Sequence, residues 1–137
     1  MTTACSTVAA LMATVLVAST LFGAATGQCD VQKDLSIWQS LGEPQRDDSS
    51  EYRVDVTNRC IGDERSGRPC AISRILLRCG NFRSLIPINP TVFRNVSSGV
   101  CLLNDGHSIP QGSNVSFVYT NYQRNELYVY SAMCTTA

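Results

Sequence analysis

Several residue types that commonly carry chemistry are scarce or missing in this sequence. It has one histidine (His107), one lysine (Lys33) and one tryptophan (Trp38). It has no Cys-x-x-Cys pair and no Gly-x-Ser-x-Gly elbow. With a single imidazole and no closely spaced cysteines, zinc lacks its usual ligand spacing. The same absence argues against a redox-active dithiol. Without the elbow, a serine nucleophile lacks its common frame. His107 follows Asn104-Asp105-Gly106, a turn signal, and reads as plain surface. Asp47 and Asp48 sit in a polar stretch and read as solvated charge, not as a glycosidase pair. The expectation is a protein that is not an enzyme and carries no metal or cofactor site.

Net charge is also missing: 11 basic residues balance 11 acidic ones. Nucleic-acid binders are usually basic and interleave aromatics with the charge, so that class is not expected. The charge is unevenly spread, however. Residues 28–52 carry six acids against Lys33 and Arg46, and residues 53–94 carry eight arginines against Asp55, Asp63 and Glu64. Arginine suits planar, bidentate partners and protein interfaces better than lysine does.

No charged side chain precedes Asp30. The most apolar stretch, Val8 to Phe22, is 15 residues long, short of the roughly 20 needed to span a bilayer. Small residues at 24–27 follow it. Residues 1–27 therefore read as a signal peptide cleaved near Gly27, leaving one secreted domain over 28–137 with no membrane attachment. Cleavage also removes Cys5 and leaves six cysteines: Cys29, Cys60, Cys70, Cys79, Cys101 and Cys134. An even number in an oxidising compartment predicts three disulfides, with the pairing left open.

Residues 28–137 show no helical apolar stripe. Residues 42–50 read as a polar loop. Tyr52, Val54, Val56, Asn58 and Cys60 then alternate with Arg53, Asp55, Thr57 and Arg59, the period of a half-buried strand. A second strand is expected over 71–79, with Ile75, Leu77 and Cys79 on one face and Ile72, Arg74, Leu76 and Arg78 on the other. Val115, Phe117 and Tyr119 mark a third. A fourth sets Leu127, Val129, Ser131 and Met133 against Tyr128, Tyr130, Ala132 and Cys134. Turn signals lie at 104–106 and 111–112. Several short strands with turns between them predict an all-β fold, an antiparallel β-sandwich stapled by disulfides.

Two sequons, Asn95-Val96-Ser97 and Asn114-Val115-Ser116, are candidate glycosylation sites. Two binding readings follow from side-chain type. Trp38, Tyr119, Tyr122, Tyr128 and Tyr130 would stack on sugar rings if they formed a flat exposed strip, as in a cell-wall carbohydrate-binding module. Arg74 and Arg78 face outward beside Leu76, and Arg53 and Arg59 face outward on the earlier strand. Were those strands neighbours, they would form a basic patch suited to an acidic protein surface. Arg65 and Arg68, in the charged 61–69 loop, are further candidates for partner contact.

Four segments share a distinctive pattern. They are Tyr52-x-Val54-x-Val56-x-Asn58-x-Cys60, Ile72-x-x-Ile75-x-Leu77-x-Cys79-Gly80-x-Phe82, Ile88-Asn89-Pro90-x-Val92-Phe93, and Cys101-Leu102-Leu103-Asn104-Asp105-Gly106-x-x-Ile109-Pro110-x-Gly112. With Cys29-Asp30 and Cys134, they resemble the plant TAPETUM DETERMINANT family of small secreted proteins, over about Cys29 to Cys134. The resemblance implies an apoplastic ligand for the ectodomain of a leucine-rich-repeat receptor kinase, acting in anther and tapetal cell fate. The chain departs from the family pattern in the charged stretch 61–69, which separates Cys60 and Cys70 more widely than the family does.

Overall fold

The computed structural model describes residues 29–62, 67 and 69–135. The expected signal peptide with Cys5, and the candidate residues Arg65 and Arg68, lie outside the described residues.

A strand with one face in a core must alternate buried and exposed side chains. In β2 (Ser50–Asn58), Val54, Val56 and Asn58 are buried while Arg53 is exposed. In β6 (Asn114–Asn121), Phe117 and Tyr119 are buried. β2 pairs on one side with β6 and on the other with β1 (Leu35–Pro44), giving a three-stranded sheet of order β1-β2-β6. The second sheet has the order β4-β5-β3-β7, from β4 (Phe93–Ser97), β5 (Gly99–Leu103), β3 (Ala71–Gly80) and β7 (Tyr128–Thr135). Every strand pair is antiparallel. Among the described residues a short helix, α1 (Val31–Asp34), capped by the Asp30 carboxylate, precedes β1. Among the described residues no helix is long and apolar enough to cross a membrane.

The two inner faces form one core, in which Val54, Val56 and Tyr119 meet Ile72, Ile75, Leu77 and Leu103. Aromatic contacts bridge the layers. Phe93 of the second sheet stacks on Phe117 of the first, centroids 4.4 Å apart. Phe82, from the β3–β4 loop, meets Phe93 edge-on at 4.8 Å and Tyr119 at 5.1 Å. Such pairs add about 0.5–1.5 kcal/mol each beyond burial.

The expected sandwich stands, with three local corrections. First, Ile72 is not on the outer face with Arg74 but fully buried. Arg74 has φ 50° and forms a bulge. Ser73 pairs with Met133 and Leu76 with Ser131, so Arg74 and Ile75 together oppose Ala132 alone. The extra residue turns both Ile72 and Ile75 inward. Second, β7 carries a compensating bulge. Leu76 pairs with Ser131 and Leu77 with Val129, leaving Tyr130 as the extra residue. Val129, Ala132 and Cys134 are thus half-buried, while Tyr130, Ser131 and Met133 are exposed. Third, the 42–50 loop is shorter than expected, because β1 runs to Pro44. The turn signals hold: Asn104 and Asp105 adopt φ of 55° and 54°, and Gly112 φ 78°.

The disulfides pair Cys29 with Cys134, Cys60 with Cys70, and Cys79 with Cys101. Cys79–Cys101 lies within one sheet, joining β3 to β5. The other two join the sheets to each other at one end, where the sulfurs of Cys29, Cys60 and Cys70 lie within 4.8 Å of one another. Asn58 holds the same end. Its buried amide donates to the carbonyls of Cys70 and Ile109, both at 2.9 Å, and its oxygen accepts from the Cys60 amide at 2.8 Å. Gln111 Oε1 accepts from the amides of Gly62 and Cys70. Both stems of the 61–69 loop are therefore fixed.

Candidate partner-binding surface

The outer face of the four-stranded sheet is built by register. One row reads Arg94, Leu102, Leu76, Ser131, and the next reads Val100, Arg78, Tyr128. Leu76, Val100 and Leu102 are half-buried and form an apolar centre. Tyr128, Tyr130 and Met133 stand exposed along the β7 edge. The Arg78 guanidinium lies 4.7 Å from the centre of the Tyr130 ring, a cation–π contact. Arg74 is exposed at the bulge of the same strand.

Charge pairing separates these arginines from their neighbours. Arg94 is held by Asp105 at 2.6 Å, and Arg53 by Asp55 at 3.2 Å. Among the described residues, neither Arg74 nor Arg78 forms an ion pair. The Tyr128 hydroxyl donates to the Glu126 carboxylate, which holds that phenol above its ordinary range.

The sequence raised a joint patch with Arg53 and Arg59, and the structure does not form it. β2 and β3 belong to different sheets, so their outer faces point to opposite sides of the sandwich. Arg53 instead belongs to a closed network. The Ser116 hydroxyl donates to Asp55, and with Arg53 it holds that carboxyl below the usual carboxylate range.

The flat aromatic strip is also not formed. Tyr119 is fully buried, stacked on Tyr52 at 5.1 Å, and burial pushes its phenol up. Trp38, Tyr122, Tyr128 and Tyr130 are exposed, but Trp38 lies on one sheet and Tyr128 and Tyr130 on the other. His107 is exposed just past the 104–106 turn. Cys29, Cys60 and Cys70 sit close enough to hold a metal, but all are spent in disulfides.

Both sequon asparagines are exposed. Asn114 opens β6 opposite Thr57, and Asn95 pairs with Cys101, an inward-facing position, at the β4 edge. Neither belongs to the Arg74–Arg78 face. Sequence reasoning missed Tyr130 and Met133 as companions of Arg78. Strict alternation puts them on opposite faces, and only the β7 bulge unites them.

Comparison with known proteins supplies the family. The family model described as "Tapetum determinant 1, C-terminal" matches residues 31–135. The chain belongs to the tapetum determinant 1 family. It is 41% identical over 106 residues to rice (Oryza sativa subsp. japonica) "TPD1 protein homolog 1A", covering 77% of this chain and 47% of that protein. It is 33% identical over 108 residues to Arabidopsis thaliana "TPD1 protein homolog 1", covering 79% and 57%. The chain thus spans about half the length of the curated relatives it matches. No solved structure matches it. The family match covers both sheets and five of the six described cysteines, since Cys29 precedes its first residue.

Proposed function

We propose that this tapetum determinant 1 family member is a secreted, non-catalytic signalling ligand of the plant apoplast. Its partner is the ectodomain of a leucine-rich-repeat receptor kinase, and its role lies in cell differentiation of the anther type. The observation that carries the reading is the face of Arg74 and Arg78. Two guanidiniums with no ion pair among the described residues flank an apolar centre edged by two tyrosines and a methionine. Arginine, tyrosine and methionine are the residues enriched at protein interfaces, and the free charges suit an acidic partner surface. The sequons leave this face clear of any glycan they carry.

The test is binding of the secreted domain to such an ectodomain. Arg74→Glu with Arg78→Glu is expected to weaken binding by about a hundredfold, roughly tenfold for each 1.4 kcal/mol lost. Added salt should slow association of the native protein. Unchanged affinity in the double variant rules out this face. No binding by the native protein rules out the receptor assignment.

A further inference from the structure

A second site lies on the side of the sandwich. β1 is the edge of the three-stranded sheet and β7 the edge of the four-stranded one, and they close on the same side. The Gln32 amide reaches the Val129 carbonyl at 3.0 Å, and the Gln39 amide reaches the Asn125 carbonyl at 2.8 Å. Between the edges runs a cleft of about 320 Å³, at the small end of the range for ligand sites. Trp38 and Tyr128 both line it, and both are more than half exposed, at 67% and 58%. These two rings were separated by sheet but are united by the cleft. Arg124 and Glu126 supply a donor and an acceptor at its rim, and Ile37 and Leu127 supply apolar lining.

We propose that this cleft binds a β-linked, gluco-configured glycan, one or two pyranose units at a time. Such a ring has equatorial hydroxyls and therefore two apolar C–H faces, which match exposed aromatic rings. Its hydroxyls pair in a bidentate way with a guanidinium or a carboxylate. A purely apolar ligand would leave Arg124 unused, and an anionic one would meet Glu126. The cleft is preorganised from behind. Tyr119 donates to Gln39 Oε1 at 2.6 Å and accepts from the Asn125 amide at 2.9 Å. Asn125 in turn exchanges two hydrogen bonds with the backbone of Arg83. Neither Gln39 nor Asn125 needs the ligand to satisfy it, so binding reorganises little.

Trp38 is the chain's only tryptophan, so its emission reports this cleft directly. The disulfide-intact secreted protein would be titrated with cellohexaose and with chitotriose. The first stands for wall polysaccharide, and the second for the core of a glycan on a partner protein. A saturable emission change with either is expected, and which one acts names the source. Retention on the immobilised sugar should fall at least tenfold in Trp38→Ala, survive in Trp38→Tyr, and fall in Glu126→Gln. Trp38→Ala should still bind the receptor ectodomain, whereas Arg74→Glu with Arg78→Glu should still bind sugar, so the two sites fail separately. No emission change with either sugar at millimolar concentration overturns the proposal. So does undiminished retention of a folded Trp38→Ala variant.

Discussion

The two outer faces of the sandwich carry similar residues and use them differently. On the three-stranded sheet, Trp38, Asp55 and Ser116 lie in one row, and Arg53 is tied to both Asp55 and Ser116. The charge there is satisfied within the molecule. On the four-stranded sheet, among the described residues, Arg78 meets an aromatic ring but no carboxylate, and Arg74 stands on a bulge without an ion pair. That charge is left over, beside apolar side chains. An exposed, already paired ion pair contributes little to anything, so under the proposed function it is the second face that has binding free energy to give. The ties between the sheets differ as well. At one end they are two disulfides and Asn58, and along the β1–β7 side they are hydrogen bonds of Asn125, Gln39 and Tyr119.

The largest effect should come from breaking the covalent tie between the faces. Cys29–Cys134 closes a sequence separation of 105 and Cys60–Cys70 one of 10. Chain entropy assigns about 4–5 kcal/mol to the first and about 3 to the second. Replacing both members of each pair by serine and measuring urea unfolding should show that order. Equal losses would mean that residual structure in the unfolded chain, not loop length, dominates.

Next comes the hydrogen-bonded anchor at the same end. Asn58→Leu removes three buried hydrogen bonds and strands the Cys60 amide. The expected cost is about 2–4 kcal/mol, read as a lower urea midpoint. A smaller loss would show that the disulfide alone positions the loop.

The contrast between faces is sharpened by a pair of single variants. Arg78→Ala should weaken receptor binding about tenfold, in the range of an interfacial arginine. Arg53→Ala should leave binding unchanged and shift stability by less than about 1 kcal/mol. Equal effects on binding would erase the distinction between the faces.

The sequence made some of this legible and hid the rest for physical reasons. β2 and β6 were visible because their inward apolar residues alternate, Val54 and Val56 in one and Phe117 and Tyr119 in the other. β1 was hidden because it is an edge strand whose Trp38 and Leu41 are exposed, so its apolar residues follow no face. β4 and β5 were too short to show a period, at 5 residues each around a tight turn at Gly99. The bulge at Arg74 had no sign, because arginine is not a residue that announces positive φ, and Ile72 was misplaced as a result. Alternation also says which face a side chain takes but not which strand lies beside it. That is why Arg53 and Arg74 looked like possible neighbours. The partner-face arginines were legible as outward residues; their tyrosine and methionine companions needed the second bulge.

The smallest expected effect tests whether the first face really is closed on itself. Asp55 is held below the ordinary carboxylate range, first by the Ser116 hydroxyl and then by Arg53. A carboxylate whose folded pKa is depressed adds stability that is complete above its unfolded pKa, about 3.9. That stability is lost as pH falls through the lower folded value. Urea unfolding from pH 7 to pH 2 should therefore show a shallow acid-side loss that Ser116→Ala reduces and Asp55→Asn reduces further. The same titration followed at Asp55 by carboxyl NMR should move upward in Ser116→Ala more than in Arg53→Ala. If Arg53→Ala moves it further, the guanidinium is the stronger partner, and the network is better described as an ion pair that a hydroxyl happens to join.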